Sequence, residues 1–217
     1  MSEWLGHNDR IHVIPFGVDE EFFDLPMDDR ALFRARHEIP ESAFVILHVG
    51  SVDQRKNVPA IIAVLEELKS EGVEAWVLQV GGVLTSEHEA ELASRGVADR
   101  VTQLGAVAEE ELRNAYHAAD VLLFPSHYEG FGFPVLEAMA SGLPAVTSGA
   151  GGLTEVAGDA AVIVPGRESK PYVEAVKRLV DDTEWRERLI KRGRERASSF
   201  TWSTVATETA RVYETLV

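Results

Sequence analysis

The chain of 217 residues is 45% hydrophobic, 8% aromatic and 26% charged, enough to bury a full core in one globular domain and too apolar for a disordered chain. A formal net charge of -15 argues against a nucleic-acid partner and against adsorption to anionic lipid through a general basic surface, although peripheral membrane contact stays open. There is no cysteine, so disulfides and thiolate metal sites are excluded, and the seven histidines with carboxylates would have to supply any zinc site.

The opening MSEWLGHNDRIHVIPFG has no apolar run of signal-peptide or membrane-span length, and a cytoplasmic chain is expected. Residues 1–40 read as an irregular lead-in with turn signals at Pro15, Gly17 and Pro26 and a short helix around ALFRARH. From Phe44 to about residue 183, short apolar runs bounded by glycine alternate with segments of helical period. That alternation is expected of a doubly wound, Rossmann-like α/β fold with a parallel sheet of about six strands. The predicted strands are FVILHVG ending at Gly50, AWVLQVGG at Gly82, VTQLGAV at Val107, VLLFPS at Ser126, PAVTSG at Gly149 and AAVIV at Val164. Their continuous Val/Leu/Ile content fits strands covered on both faces. The helices between them are VPAIIAVLEELKSEG, SEHEAELASRG, EEELRNAYHAA, PVLEAMASG, a short one near Glu155 and KPYVEAVKRLVDD. Residues 184–217 read as one or two amphipathic helices broken near SSFTWS, with Trp185, Leu189, Trp202, Val205, Val212 and Tyr213 as packing residues.

In an open parallel sheet, ligands sit beyond the carboxyl ends of the strands, and the unusual residues gather there. Gly50 followed by SVDQRKN comes after the first strand, Gly81 and Gly82 after the second, SHYEGFGFP after the fourth and SGAGG after the fifth. Glycine-rich turns of this kind often serve only to reverse the chain. The fourth loop offers more. Pro134 fits the first position of a helix, and Gly130 and Gly132 clear side-chain bulk, so a ligand can approach backbone amides where the helix dipole favours an anion. Glu129 lies in that loop and Glu137 about one turn into the helix. A carboxylate there is an ordinary dipole partner, worth roughly 0.3–1 kcal/mol. Two carboxylates beside an anion pocket are awkward unless they accept hydrogen bonds from ligand hydroxyls, as a sugar and a ribose provide. Arg55 and Lys56, otherwise an unremarkable solvated pair, would neutralise a diphosphate. His48 reads as a core residue within a strand, while His127, two residues before Glu129, is placed to line the pocket. Neither H-E-x-x-H nor D-x-D occurs, so a site without metal is expected.

VIPFGVD, VGSVDQRKN, LGAV, AADVLLFPSHYEGFGFPVLEAMASGLPAVTSGAGGLTEVAGDAAVIV and the closing FTW resemble, in order from about Ile11 to Tyr213, the carboxyl-terminal domain of GT-B family 4 glycosyltransferases. The family's E-x7-E element corresponds to Glu129 and Glu137. The resemblance implies a retaining, metal-independent, hexosyltransferase-like enzyme using a nucleoside-diphosphate sugar as donor substrate and no other cofactor. It implies that Glu129 is the catalytic residue at the donor sugar and that Glu137 meets the ribose hydroxyls. Arg55 and Lys56 would meet the diphosphate beside Gly50, the Gly130–Phe131–Gly132 backbone the sugar or phosphate, and the loop from Leu104 to Val107 the base. Ser51 stands where many members place an arginine, which makes the role of Arg55 less defined than that of Lys56. RKN with EGFGFPVLEAMASG is similar to mannosyltransferase-like members, favouring a guanosine-diphosphate sugar, with uridine as the alternative. The family's acceptor-binding amino-terminal domain would precede VIPFGVD. Its absence makes the chain either a fragment or a separate subunit, expected to be inactive alone and to need that domain, or a partner subunit, to reach a glycan, lipid or other acceptor. The competing functional reading is a nucleotide-sugar-binding module without turnover. A nicotinamide oxidoreductase ranks far lower, since HVGSVDQRKN lacks G-x-G-x-x-G.

Overall fold

A computed structural model describes residues 11–24 and 30–215. Six parallel strands, β1 (Phe44–Gly50), β2 (Ala75–Gly81), β3 (Val101–Gly105), β4 (Val121–Phe124), β5 (Ala145–Ser148) and β6 (Val162–Val164), form one sheet in the order β3-β2-β1-β4-β5-β6. Side-chain alternation along each strand divides the core into two faces. Val45, Leu47, Leu122 and Phe124 point to one side, and Ile46, Val121 and Leu123 to the other. The first face is covered by α1 (Arg30–Arg36), α4 (Glu109–Ala118), α5 (Phe133–Ala140) and α6 (Leu153–Ala157), through Phe33, Tyr116, Leu136 and Val156 among others. The second lies under α2 (Val58–Ser70), α3 (Ser86–Ser94) and α7 (Ser169–Asp181), through Leu65, Leu92 and Val176. Burial on both sides explains why β1 and β4 read as nearly unbroken apolar runs.

Several strands end one or two residues earlier than the apolar runs suggest. β4 stops at Phe124 because Pro125 has no N–H to extend the ladder. β3 stops at Gly105, whose φ of 63° turns the chain out of the extended region before Val107. The lead-in is irregular over residues 11–17, with a 3-10 turn at Glu20–Phe22, and α1 covers most of the predicted ALFRARH helix. The Pro26 turn lies outside the described residues.

α8 (Thr183–Ala197) packs on α5 and on the second face through Leu189, and α9 (Trp202–Glu214) follows a break at 198–201. The expectation that Trp202 and Tyr213 are packing residues is corrected by their exposures of 49% and 66%. No residue of α9 is buried, and Val205, Glu208, Thr209 and Val212 are half-buried along one side. Its start is held where the Val18 amide donates to the Phe200 carbonyl at 2.7 Å and Phe16 lies edge-on to Trp202. Among the described residues, no helix is long and apolar enough to cross a membrane.

Candidate functional site

The strand order reverses between β1 and β4, so their connections leave over opposite faces and open a crevice at their carboxyl ends. The loop after β1 is shaped by its own short side chains. Ser51 donates from its hydroxyl to Asp53 Oδ2 at 2.7 Å, and Asp53 Oδ1 accepts from the Arg55 amide at 2.9 Å, capping a 3-10 turn at Gln54–Lys56. These bonds, the Ser51 contact foremost, hold the Asp53 carboxyl below its usual range. Asn57 then takes a left-handed conformation, φ 54°, and α2 begins.

The turn folds Lys56 back over the end of its own strand. Its Nζ donates to Glu129 Oε1 at 2.6 Å and stands 4.4 Å from the centre of the Phe124 ring, leaving the residue only 7% exposed. A side chain at Gly50 would come within 3.2 Å of the Lys56 ammonium, so the glycine makes room for the cation. Arg55 stays nearly half exposed, with Nη1 at 3.6 Å from Glu129 Oε2. Its carbonyl accepts from the His127 amide at 2.7 Å, tying the β1 loop to the β4 loop. Gly50, Arg55, Lys56 and Glu129 therefore meet at one point.

Glu129 is fixed from behind by the loop after β5. Its carbonyl accepts from the Gly152 amide at 2.9 Å, and a Cβ on Gly151, φ 64°, would overlap that same carbonyl. Sequence reading marked SGAGG only as one more glycine-rich loop, and the run of glycines was the available signal that two backbones touch here. Beyond Glu129 the chain passes through Gly130 and Phe131 to Gly132, φ 103°, which opens α5 with Pro134 as its second residue. Among the described residues, the amides of Phe131, Gly132 and Phe133 donate to no acceptor, as the first N–H groups of a helix do. They give the crevice a positive rim.

Glu137, in the second turn of α5, is not joined to the Lys56 pair by a direct contact. Its Oε2 accepts from the Tyr116 hydroxyl of α4 at 2.6 Å. Burial raises the Glu137 carboxyl above its usual range, with the Tyr116 hydrogen bond acting against the shift. Burial and the neighbouring carboxylate push the Tyr116 phenol well above its own range. Sequence reading missed Tyr116, since a tyrosine on an amphipathic helix looks like core and the pair is 21 residues apart. Leu104 and Val107 sit half-buried at and beyond the end of β3. They lie two strands from β1, about 10 Å away by strand spacing.

Two histidines line this end of the sheet. His48 is fully buried, its Nδ1 at 2.5 Å from Gln79 Oε1, while the Gln79 amide donates to the Gly50 and Val80 carbonyls. That orientation makes His48 Nδ1 the protonated nitrogen, and burial lowers its pKa to about 4, so it serves as a neutral floor. His127 is also shifted down, by burial and then by Arg167, and its Nε2 is buried without a hydrogen-bond partner. Among the described residues no group of three His, Asp or Glu is placed to hold a metal ion.

Residues 29–196 match the family described as Glycosyl transferases group 1. The O-antigen chain mannosyltransferase B of Escherichia coli is 32% identical over 173 residues, 78% of this chain and 45% of the relative. The sucrose-phosphate synthase structure from Thermosynechococcus elongatus superposes with a TM-score of 0.83 at 30% identity, over 99% of this chain and 54% of that one. Anabaena Alr3699/HepE, solved in complex with UDP-glucose, shares the fold with a TM-score of 0.82 at 23% identity, over 94% of this chain and 57% of that one. The chain thus spans about half the length of the curated relatives it matches.

Proposed function

Because this chain belongs to the group 1 glycosyl transferases and carries the Rossmann-like fold of a GT-B carboxyl-terminal domain, we propose that it holds the donor for a retaining, metal-independent sugar transfer. The donor is a nucleoside-diphosphate sugar lying across the ends of β4, β1, β2 and β3. Lys56 and Arg55 neutralise the diphosphate together with the amides that open α5. Glu129 accepts hydrogen bonds from the sugar, Glu137 from the ribose, and the Leu104–Val107 loop flanks the base. The observation that carries the reading is the Lys56–Glu129 contact at 2.6 Å beneath the strand ends, a buried cation and a carboxylate beside free helix amides. A cation alone would serve any anion. The adjacent carboxylate adds an acceptor for hydroxyls, which suits a phosphorylated sugar. Guanosine is the first choice of base, supported by the likeness to the mannosyltransferase, with uridine as the alternative.

Transfer also needs an acceptor, a glycan or lipid, held against the sugar with water excluded, and such positioning supplies roughly 7–11 kcal/mol of barrier reduction. An open crevice does not provide it. We assign that role to an opposing domain, in the same or another chain, docking on the aromatic face of Phe16, Phe133 and Trp202, which are 51%, 38% and 49% exposed. Titration calorimetry with GDP and UDP, each with and without a chelator, tests the donor half. Binding of one of them, unchanged by the chelator, is expected, together with no sugar transfer by the chain alone. Absence of binding to both, loss of binding in chelator, or robust transfer by the purified chain would each end the proposal. Supplying an opposing domain separates the donor half of an enzyme, which then turns over, from a binding module, which does not.

A further inference from the structure

α8 concentrates positive charge: six of its fifteen residues are Lys or Arg and three are Glu, a net of +3 in a chain of -15. Arg188, Lys191 and Arg192 face Glu184, Glu195 and Asp159, and Arg196 donates to the carbonyls of Glu155 and Val156. Arg186 and Arg194 resemble Arg196 in this, not the first three. Among the described residues neither has a carboxylate partner, and each donates only to a carbonyl, Leu179 at 3.0 Å and Ser141 at 3.5 Å. With Ile190 they form one stripe at intervals of four residues, and that stripe lines a cavity of about 370 Å³. The cavity lies beneath Asp120 and Pro144, at the amino ends of β4 and β5, the opposite end of the sheet from Lys56.

The facing wall adds Arg30, His117 and Ser141. Arg30 is bound to Asp120 at 2.6 Å, but Asp120 also takes Arg34 at 2.8 Å, so one carboxylate serves two guanidinium groups. Ser141 is 7% exposed, and its hydroxyl oxygen is buried with no hydrogen-bond partner. Gly142, φ 71°, lies directly under Arg194, where a Cβ would come within 2.6 Å of Nε, so the guanidinium rests against the backbone. Three arginine forks with spare donors line one hollow in an otherwise acidic protein, with an unpartnered hydroxyl buried in its wall. Arginine forks match the paired oxygens of a phosphate, and a dianion balances the excess charge better than a carboxylate does.

We propose that this cavity binds a phosphomonoester group, either as a free phosphorylated molecule or as the headgroup of a lipid. Titration with inorganic phosphate at low ionic strength reads the site when the unaltered chain is compared with Lys56→Met, which removes phosphate held at the donor crevice. Arg186→Gln with Arg194→Gln should weaken phosphate binding at least tenfold without lowering the unfolding midpoint by more than a few degrees, whereas Lys56→Met should leave it in place. If the double variant fails to fold, Arg194→Gln alone carries the test, because that position is exposed. Co-sedimentation with phosphatidylcholine vesicles containing phosphatidic acid then assigns the source. Sedimentation dependent on the two arginines identifies the headgroup, and phosphate binding without sedimentation identifies the free ligand. No phosphate binding by the unaltered chain, or binding lost through Lys56 instead of Arg186 and Arg194, overturns the proposal.

Discussion

Removing either member of the Lys56–Glu129 pair should be costly, and unequally so. Their side chains are 8% and 12% exposed, so the interaction is little screened by water. Breaking a buried pair from one side costs about 3–5 kcal/mol, most of it from the charge left behind. Glu129→Gln leaves the ammonium with the Phe124 ring and a neutral amide, which places it at the upper part of that range. Lys56→Met leaves Glu129 with Arg55 at 3.6 Å, able to swing from solvent, so its cost should be lower, about 2 kcal/mol. At about 2–4 °C per kcal/mol for a chain of this size, Glu129→Gln lowers the melting temperature by about 8–20 °C. The double variant should be less destabilised than the two single changes added together, with a coupling of about 2 kcal/mol in urea unfolding. The binding assay should behave differently. Under the proposed function the diphosphate competes with Glu129 for Lys56, so Glu129→Gln binds a bare nucleoside diphosphate no more weakly than the unaltered chain. Lys56→Met, alone or in the double variant, loses roughly 10- to 150-fold, the value of a charge-assisted hydrogen bond of about 1.5–3 kcal/mol. Additive stabilities would refute the buried pair, and a nucleotide affinity that follows stability across all three variants would refute the binding role.

Three further outcomes follow from the same end of the sheet. Because burial raises the Glu137 carboxyl, affinity for a nucleoside diphosphate should fall on acidification through a range above that of an ordinary glutamate, as the acceptor is protonated, while Glu137→Gln binds more weakly and without that step; calorimetry across pH decides it. His48 is neutral when folded, its pKa lowered from 6.5 to about 4, so its contribution to stability is intact above pH 6.5 and is lost as pH falls toward 4, by at most about 3 kcal/mol; His48→Gln should flatten that part of the curve of unfolding free energy against pH. Gly151→Ala, forced to hold φ 64° with its methyl against the Glu129 carbonyl, should lose about 2 kcal/mol of stability and weaken a nucleotide sugar more than the bare nucleotide, and equal losses for both ligands would count against the Glu129 assignment.

What the sequence reveals about this site depends on whether each contact leaves a local mark. The six strands and their parallel sheet were legible because buried parallel strands write themselves as apolar runs, and the early ends of β3 and β4 differ only where Gly105 and Pro125 stop the ladder. Glu129 and the amides after it were legible because glycines, a proline and a carboxylate crowd into nine residues at one strand end. Lys56 was legible as a residue but not as a buried one, since its concealment depends on the missing side chain at Gly50 and on Phe124, a strand away. Trp202 and Tyr213 show the reverse failure. Their helical spacing states correctly that α9 has an apolar side, but periodicity says nothing about what the side faces, and here none of it packs into the core. Tyr116 is hardest of all, because its pairing with Glu137 joins two helices through tertiary packing alone. A hydrogen bond of 2.6 Å between buried groups partly offsets the pull of burial on the Glu137 carboxyl, and so bears on whether that carboxyl is ionised and able to accept a hydroxyl, as the proposed function requires of it.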